Sequence, residues 1–188
     1  MSRLLPGERS PILRLNAADD ALDLASGNLP THLQFRRFAG CPVCSLHIAS
    51  FRRRADELRP VVREVMIFHS TIGEIDRYVH DLPFHVVADP TKRIYRAFGV
   101  ENGRAVFTNP LGWPAILRSV TSTLARVLNR TAAFPPLSPL GGRLSLPADF
   151  LIAADGMVAA VHYGKHVDDS WSVDEVLEQA RRQHPSAP

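Results

Sequence analysis

The sequence predicts an α/β fold in which strands and helices alternate around a sheet with parallel strands. Three observations carry this expectation. Apolar runs of strand length at residues 33–38, 61–68 and 84–88 are each followed by a stretch of helical period. Two cysteines, the only ones in 188 residues, lie as Cys41-Pro42-Val43-Cys44 between the first run and its helix. Near the end, Asp155-Gly156 separates two further apolar runs, a strong hairpin signal.

Taken in order, residues 1–30 read as an irregular N-terminal segment punctuated by Pro6, Pro11 and Pro30, with a short edge strand at 12–15. Residues 31–188 read as one domain. The first central strand is expected at 33–38. Cys41 then takes the helix N-cap and Pro42 the first helical position, where its missing N–H would have been unpaired anyway. Cys44 falls in the first turn of a helix that runs on from 45 to about 58. The second strand, 61–68, ends at His69-Ser70. A helix over 71–81 carries Ile72, Ile75, Tyr78 and Val79 on its apolar side. After the strand at 84–88, Asp89-Pro90-Thr91 opens a helix bearing Ile94, Tyr95 and Phe98, which Gly99 stops.

Residues 104–146 interrupt the alternation. Within them 113–128 has helical period, with Ile116, Val120, Leu124, Val127 and Leu128 spaced as a stripe expected to face the core. A loop rich in Pro, Leu and Gly follows from Phe134 to Gly142. The hairpin strands are expected at 150–153 and 158–163, and an amphipathic helix at 173–183 closes the chain.

With 45% hydrophobic residues the chain can bury a sizeable core. The net charge is only +3, and the basic excess reads as spread along the chain. Nucleic-acid binding calls for a concentrated basic stripe with aromatics, so no nucleic-acid partner is expected. The dense run Arg52-Arg53-Arg54 reads as a solvated helix face. No apolar run approaches the roughly 20 residues that span a bilayer. The first residues lack the apolar stretch of a signal peptide. The expectation is a cytoplasmic protein with no membrane partner. There, a lone close cysteine pair is more often catalytic, redox-sensing or metal-binding than a structural staple.

A CxxC at a strand-to-helix junction reads first as a thioredoxin-like redox site, because the helix start lowers thiol pKa and the spacing allows a small disulfide ring. Arg36 and Arg37 precede it, and strand alternation points them to opposite sides. One of them can favour a thiolate; the alternative is that both pair with acids or extend to solvent. His47 completes a C-x-x-C-x-x-H string, which with His69 offers ligands for zinc or iron; otherwise His47 is an ordinary helix residue. His69 stands at the carboxyl end of a strand, the edge where α/β sites form, either as a base behind the cysteines or as a structural histidine. Trp113 and the 104–146 segment are candidates for a lid or a dimer contact.

Three segments carry a resemblance. Cys41-Pro42-Val43-Cys44-Ser45 resembles the peroxiredoxin motif Thr-Pro-Val-Cys-Thr, with Cys44 at the peroxidatic cysteine and Cys41 at the threonine. Asp89-Pro90 followed by Tyr95-Arg96-Ala97-Phe98-Gly99-Val100 resembles the Asp-Pro…Tyr-Gly-Val segment of the same superfamily. Pro147-Ala148-Asp149-Phe150-Leu151-Ile152 with Asp155-Gly156 resembles its Pro-x-x-Phe-Leu-Ile-Asp-x-x-Gly hairpin. Over roughly residues 31–107 and 144–183 the chain is thus similar to the alkyl hydroperoxide reductase/thiol-specific antioxidant superfamily, in its peroxiredoxin-like branch.

The resemblance implies a thioredoxin-like α/β fold. Helices would flank a central mixed sheet, with a helical insertion before the C-terminal hairpin. It implies a Cys41–Cys44 pair cycling between dithiol and disulfide without an external cofactor. Electrons would come from a thioredoxin- or glutathione-type donor, and the acceptor would be a hydroperoxide or a protein disulfide. A homodimer is compatible with it. Arg37 stands where peroxiredoxins have a proline, seven residues before their peroxidatic cysteine. Pro147 resembles the cis-proline of thioredoxins and is expected to face the pair, shaping the substrate groove with Pro42, Arg37 and His69. Thioredoxin order makes Cys41 the attacker and Cys44 the resolver; peroxiredoxin order reverses them. The contrasting reading, from another class, is a redox-sensing or zinc-binding interaction module without turnover.

Overall fold

Alternation in the first central strand decides the architecture. The structure, a computed structural model, describes residues 3–17, 21–79, 82–100, 110–129, 142 and 145–183. In it β3 (Thr31–Arg36) is buried at every position. Leu33 and Phe35 pack into one apolar cluster with Tyr95, Phe98 and Phe150. His32 turns the other way, against the rings of Phe51 and Trp171. A strand buried on both sides needs a layer over each face.

The layers are supplied by the helices and by a small hairpin. The sheet has the order β5-β4-β3-β6-β7, from β4 (Arg63–Phe68), β5 (His85–Ala88), β6 (Ala148–Ile152) and β7 (Val158–Tyr163). β4 pairs parallel with β3 and β5, whereas β6 pairs antiparallel with β3 and β7. One face is covered by α1 (Pro42–Arg53), α2 (Ala55–Leu58), α3 (Ile72–Tyr78) and the closing α6 (Val173–Gln183), through Phe51, Leu58, Ile75 and Leu177. The other face is covered by α4 (Arg93–Ala97) and by the hairpin of β1 (Arg14–Asn16) with β2 (Ala21–Asp23), through Leu15, Leu22 and Tyr95. The expected α/β architecture with a mixed central sheet is therefore present. The short strand expected at 12–15 falls at Arg14–Asn16 and pairs within its own hairpin rather than joining the main sheet.

Local chemistry sets the helix ends. Thr71 and Glu74 form a reciprocal capping box at the start of α3. The Asp89 carboxylate accepts the N–H groups of Arg93, Ile94 and Tyr95 at 2.8, 2.7 and 3.2 Å, which is why Asp-Pro opens α4. The helix expected to run to about 58 instead breaks at Arg54, whose guanidinium binds Glu57 and Asp174. Phe51 and Leu58, on either side of the break, both enter the core.

The insertion helix α5 (Trp113–Leu128) has the expected bounds and follows a single turn of 3-10 helix at Pro110–Gly112. Its stripe does not face the core. Val120, Leu124 and Leu128 are 52%, 53% and 73% exposed, and Ile116 is the half-buried exception. The loop expected at 134–141, the segment 104–109, Asp81 and the side chain of Val127 lie outside the described residues.

Candidate active site

The cysteine pair is positioned by the turn between β3 and α1. Cys41 N–H donates to the Phe38 carbonyl at 3.1 Å, and Gly40 takes φ +81, a conformation glycine adopts without penalty. Ala39 N–H donates to Ser70 Oγ at 3.0 Å, which ties this turn to the end of β4. Cys41 is the N-cap of α1 and Pro42 its first residue, as the sequence indicates. The Cys41 carbonyl accepts Ser45 N–H at 2.9 Å and Ser45 Oγ at 3.0 Å. Its side chain makes no capping bond, so the sulfur is available to other partners.

Those partners set the charge of the pair. Both cysteines are reduced and buried, with Cys41 at 1% exposure and Cys44 at 7%. The Cys44 thiol hydrogen-bonds to the Cys41 sulfur, and this lowers the Cys41 pKa to about 6 against the opposing effect of burial. The Arg37 guanidinium, with Nη1 3.7 Å from Cys41 Sγ, and the N–H groups of Val43 and Cys44 act in the same direction. Cys44 is pushed up, first by donating to Cys41 and then by burial. At neutral pH the pair is a Cys41 thiolate beside a Cys44 thiol.

Of the two arginines, one serves the cysteines and one does not. Arg37 lies against Cys41, whereas Arg36 points to the opposite side and binds Asp149 at 3.0 Å. Replacing Arg37 with Met should therefore raise the Cys41 pKa by about one unit. The pH dependence of iodoacetamide alkylation reads this directly, and an unshifted profile would exclude Arg37 as a source of thiolate stabilisation.

The pair opens onto a cleft of about 420 Å³ between α1 and α3. Its walls mix apolar side chains, Phe38, Ile48, Phe68, Val79 and Leu82, with the polar Ser45, Tyr78 and Arg52, the last supplying a charge. The insertion helix closes one side: α5 lies against α1, Ser122 lines the cleft, and Ile116 packs on the cluster of Phe38, Cys41, Val43 and Cys44. Trp113 is 64% exposed and does not line this cleft. A larger cleft of about 490 Å³, lined by Leu58, Arg63 and His85, holds neither cysteine.

The remaining candidates are placed as follows. His69 is buried beside the turn, its ring centroid 5.7 Å from Tyr95 and 6.4 Å from Phe38. The His47 ring lies tilted against Phe51, centroids 4.8 Å apart, and burial holds its pKa well below the usual imidazole range, so it is neutral. Among the described residues, no three His, Cys, Asp or Glu side chains are grouped to hold a metal ion. The expected cis-proline is not formed: no peptide bond among the described residues is cis. Pro147 instead leads directly into β6 in the conformation X-Pro bonds ordinarily prefer, its carbonyl accepting Gly164 N–H at 2.9 Å. A Cβ on Gly164 would stand 2.8 Å from that carbonyl oxygen, so the contact requires glycine. Leu146, the residue before it, packs on the cysteine cluster.

Sequence reasoning missed the polar layer behind the site. His32, Gln34, Arg36, Glu64 and Asp149 are all buried on the α1 side of the sheet. His32 Nδ1 meets Glu64 at 2.9 Å, and His32 Nε2 lies 3.3 Å from Asp149. Arg36 donates to Gln34 Oε1, to Asp149 and to Ser170 Oγ. Asp149 also accepts Trp171 N–H at 3.1 Å. Tyr95 was likewise underrated: its hydroxyl reaches the carbonyls of Arg36 and Ile67, pinning the strand ends that carry the turn. Polar residues at every second position of β3 are visible in the sequence, but alternation alone marks a solvent face as readily as a buried polar layer.

Comparison with known proteins agrees with this architecture. The chain resembles a cysteine-to-serine mutant of peroxiredoxin 6 from Arenicola marina, with TM-score 0.65 and 13% identity, over 93% of this chain and 70% of that one. It resembles the reduced 2-Cys peroxiredoxin of Plasmodium vivax, with TM-score 0.64 and 16% identity, over 97% and 86% of the two chains. It also resembles peroxidoxin BcpB from Mycobacterium tuberculosis, with TM-score 0.63 and 17% identity, over 96% and 98%. At these identities the likeness is one of fold. No curated protein sequence matches the chain. The match to a family profile spans residues 50–166 and so begins after the cysteine pair, but it takes in β4, β5, α5 and the hairpin. By that match the chain belongs to the AhpC/TSA antioxidant enzyme family.

Proposed function

We propose that the protein is a thiol-dependent oxidoreductase that reduces a small hydroperoxide at Cys41 and resolves the product with Cys44. The observation that carries this reading is the Cys41 thiolate, held by Arg37 and by the Cys44 thiol where the pair lines a cleft of the surface. In the first step the thiolate attacks the terminal peroxide oxygen. The O–O bond breaks, Cys41 becomes a sulfenic acid, and the leaving alkoxide takes a proton to become an alcohol. The Cys44 sulfur then attacks the sulfenic sulfur, water leaves, and a Cys41–Cys44 disulfide forms. Two thiols of a thioredoxin- or glutathione-type donor return the pair to the dithiol and are themselves oxidised. The peroxide is the oxidant and the donor the reductant, so no further cofactor enters. A cytoplasmic setting suits such a donor.

Burial favours a small acceptor over a protein disulfide, because a sulfur on a residue 1% exposed admits a narrow peroxide more readily than a folded chain. One observation favours disulfide exchange instead: the low-pKa thiol is the first of the CxxC, which is thioredoxin order. One experiment separates the two. Reduced protein is mixed with one equivalent of hydrogen peroxide, and oxidation is followed by alkylation and mass shift. Peroxidase chemistry predicts oxidation orders of magnitude faster than that of free cysteine. A rate like that of free cysteine, with the pair equilibrating in a buffer poised at about −270 mV, would transfer the protein to disulfide exchange.

A further inference from the structure

The charge of the chain is divided in a way its net value conceals. Between Asn102 and Ala148 there is no Asp, Glu, Lys or His, and there are five arginines, at 104, 118, 126, 130 and 143. Removing these five from the 22 basic residues leaves 17, against 19 acidic ones. The basic excess read from composition as spread along the chain is therefore confined to this segment, and the rest of the protein is slightly acidic.

The same segment carries an exposed apolar face. On α5, Trp113, Leu117, Val120, Leu124 and Leu128 are between 52% and 73% exposed and recur at three- and four-residue steps. The opposite face of the helix is used inside the protein, with Ile116 on the cysteine cluster and Ser119 at 1% exposure. Small hydroxyl residues and the exposed Arg118 flank the stripe. Scattered single apolar side chains on a surface need no explanation, but a continuous stripe capped by a tryptophan does.

We propose that α5 docks the protein on an anionic lipid bilayer, lying in the plane of the interface with this stripe turned into the lipid. A helix with one bulky apolar face, a terminal Trp and arginine as its only charge is suited to the boundary between headgroups and acyl chains. Charge decides between occupants. A second copy would bring an equally basic, acid-free segment against the first, so the pairing would be repulsive. An anionic leaflet complements it. The expectation of no membrane partner rested on the absence of a spanning segment, and no described helix is long and apolar enough to cross a membrane. A helix lying in the interface needs neither that length nor that continuity. Docking in this way would set the cysteine cleft, which α5 walls, close to the lipid surface. The inference does not depend on the chemistry of the pair.

The test is co-sedimentation of the full chain with vesicles of phosphatidylcholine alone and of phosphatidylcholine with phosphatidylserine, at low and high salt. Trp113 fluorescence is recorded alongside, since Trp171 is buried. The expected result is at least tenfold tighter partitioning to the anionic vesicles, weakened by salt, with a blue shift that the Trp113→Phe variant loses. The Leu117→Gln/Leu124→Gln variant should lose the partitioning while keeping the wild-type circular dichroism and thermal midpoint. Protein that stays in solution with anionic vesicles, or a double variant that still partitions, would overturn the proposal. So would a concentration-dependent dimer in sedimentation equilibrium that the same double variant abolishes, since a second copy would then cover the face.

Discussion

Cys41→Ser should abolish the fast reaction with peroxide, whereas Cys44→Ser should keep it and stop at the sulfenic acid. The asymmetry follows from the charge of the pair. With a pKa of about 6, Cys41 is almost fully ionised at neutral pH. An unperturbed thiol with pKa about 8.5 is only a few per cent ionised there, so thiolate population alone contributes roughly 30-fold in rate. Any acceleration beyond that comes from Arg37 and the helix-start N–H groups stabilising charge as the O–O bond breaks. In the proposed cycle the Cys44 thiol has two roles, hydrogen-bond donor first and resolving sulfur later, and two variants separate them. Serine retains a donor hydroxyl, so Cys44→Ser should oxidise at nearly the wild-type rate. Alanine removes the donor, so Cys44→Ala should raise the Cys41 pKa and slow the reaction near pH 6 by about tenfold. Stopped-flow oxidation across pH 5–9, with dimedone trapping and mass spectrometry, reads both effects. A fast phase that survives in Cys41→Ser and vanishes in Cys44→Ser would reverse the roles and make Cys44 the attacker.

The cysteine site was legible in the sequence because its geometry is local. Gly40, the N-cap position of Cys41 and Pro42 fix the turn within a few residues, and the structure places each as its residue type requires. The Asp155-Gly156 hairpin and the closing helix, whose bounds Val173–Gln183 match the expectation, are local in the same sense. What failed depends on the partner across space. The helical period on α5 identifies an apolar face but is silent on whether that face turns to the core or away from it. Pro147 carried an expectation borrowed from a resemblance, and its peptide bond here is the ordinary trans form. The polar positions of β3 gave no sign of burial, because their compensating charges, Glu64 and Asp149, lie 32 or more residues from His32. Only the fold brings them together.

That buried layer predicts the largest loss of stability. Asp149→Asn preserves volume but leaves Arg36 and His32 facing a neutral side chain in a place water does not reach. Removing one partner of a buried ion pair costs about 3–5 kcal/mol, a large share of the roughly 5–15 kcal/mol that holds a domain together. The pH dependence carries a further signature. Burial alone would depress the His32 pKa, but Glu64 and Asp149 override it and raise it to about 9. A group with a raised folded-state pKa contributes stability that is fully present below its unfolded value, near 6.5, and is lost as pH rises through 9; here that is about 3 kcal/mol. Asp149 behaves oppositely. Burial pushes its pKa up, Arg36 and His32 bring it down to about 2, and its contribution is lost as pH falls from about 4 towards 2. The Cys41 thiolate would mask the alkaline limb, since a depressed thiol pKa adds stability as pH rises through the same range. The measurement therefore belongs in the Cys41→Ser/Cys44→Ser background, with urea unfolding at pH 5, 7 and 10. Stability should fall between pH 7 and 10, and His32→Gln should flatten that slope. A parent protein equally stable at pH 7 and 10 would mean that His32 is neutral in the folded state, and the layer would then be a hydrogen-bond network rather than a set of buried charges.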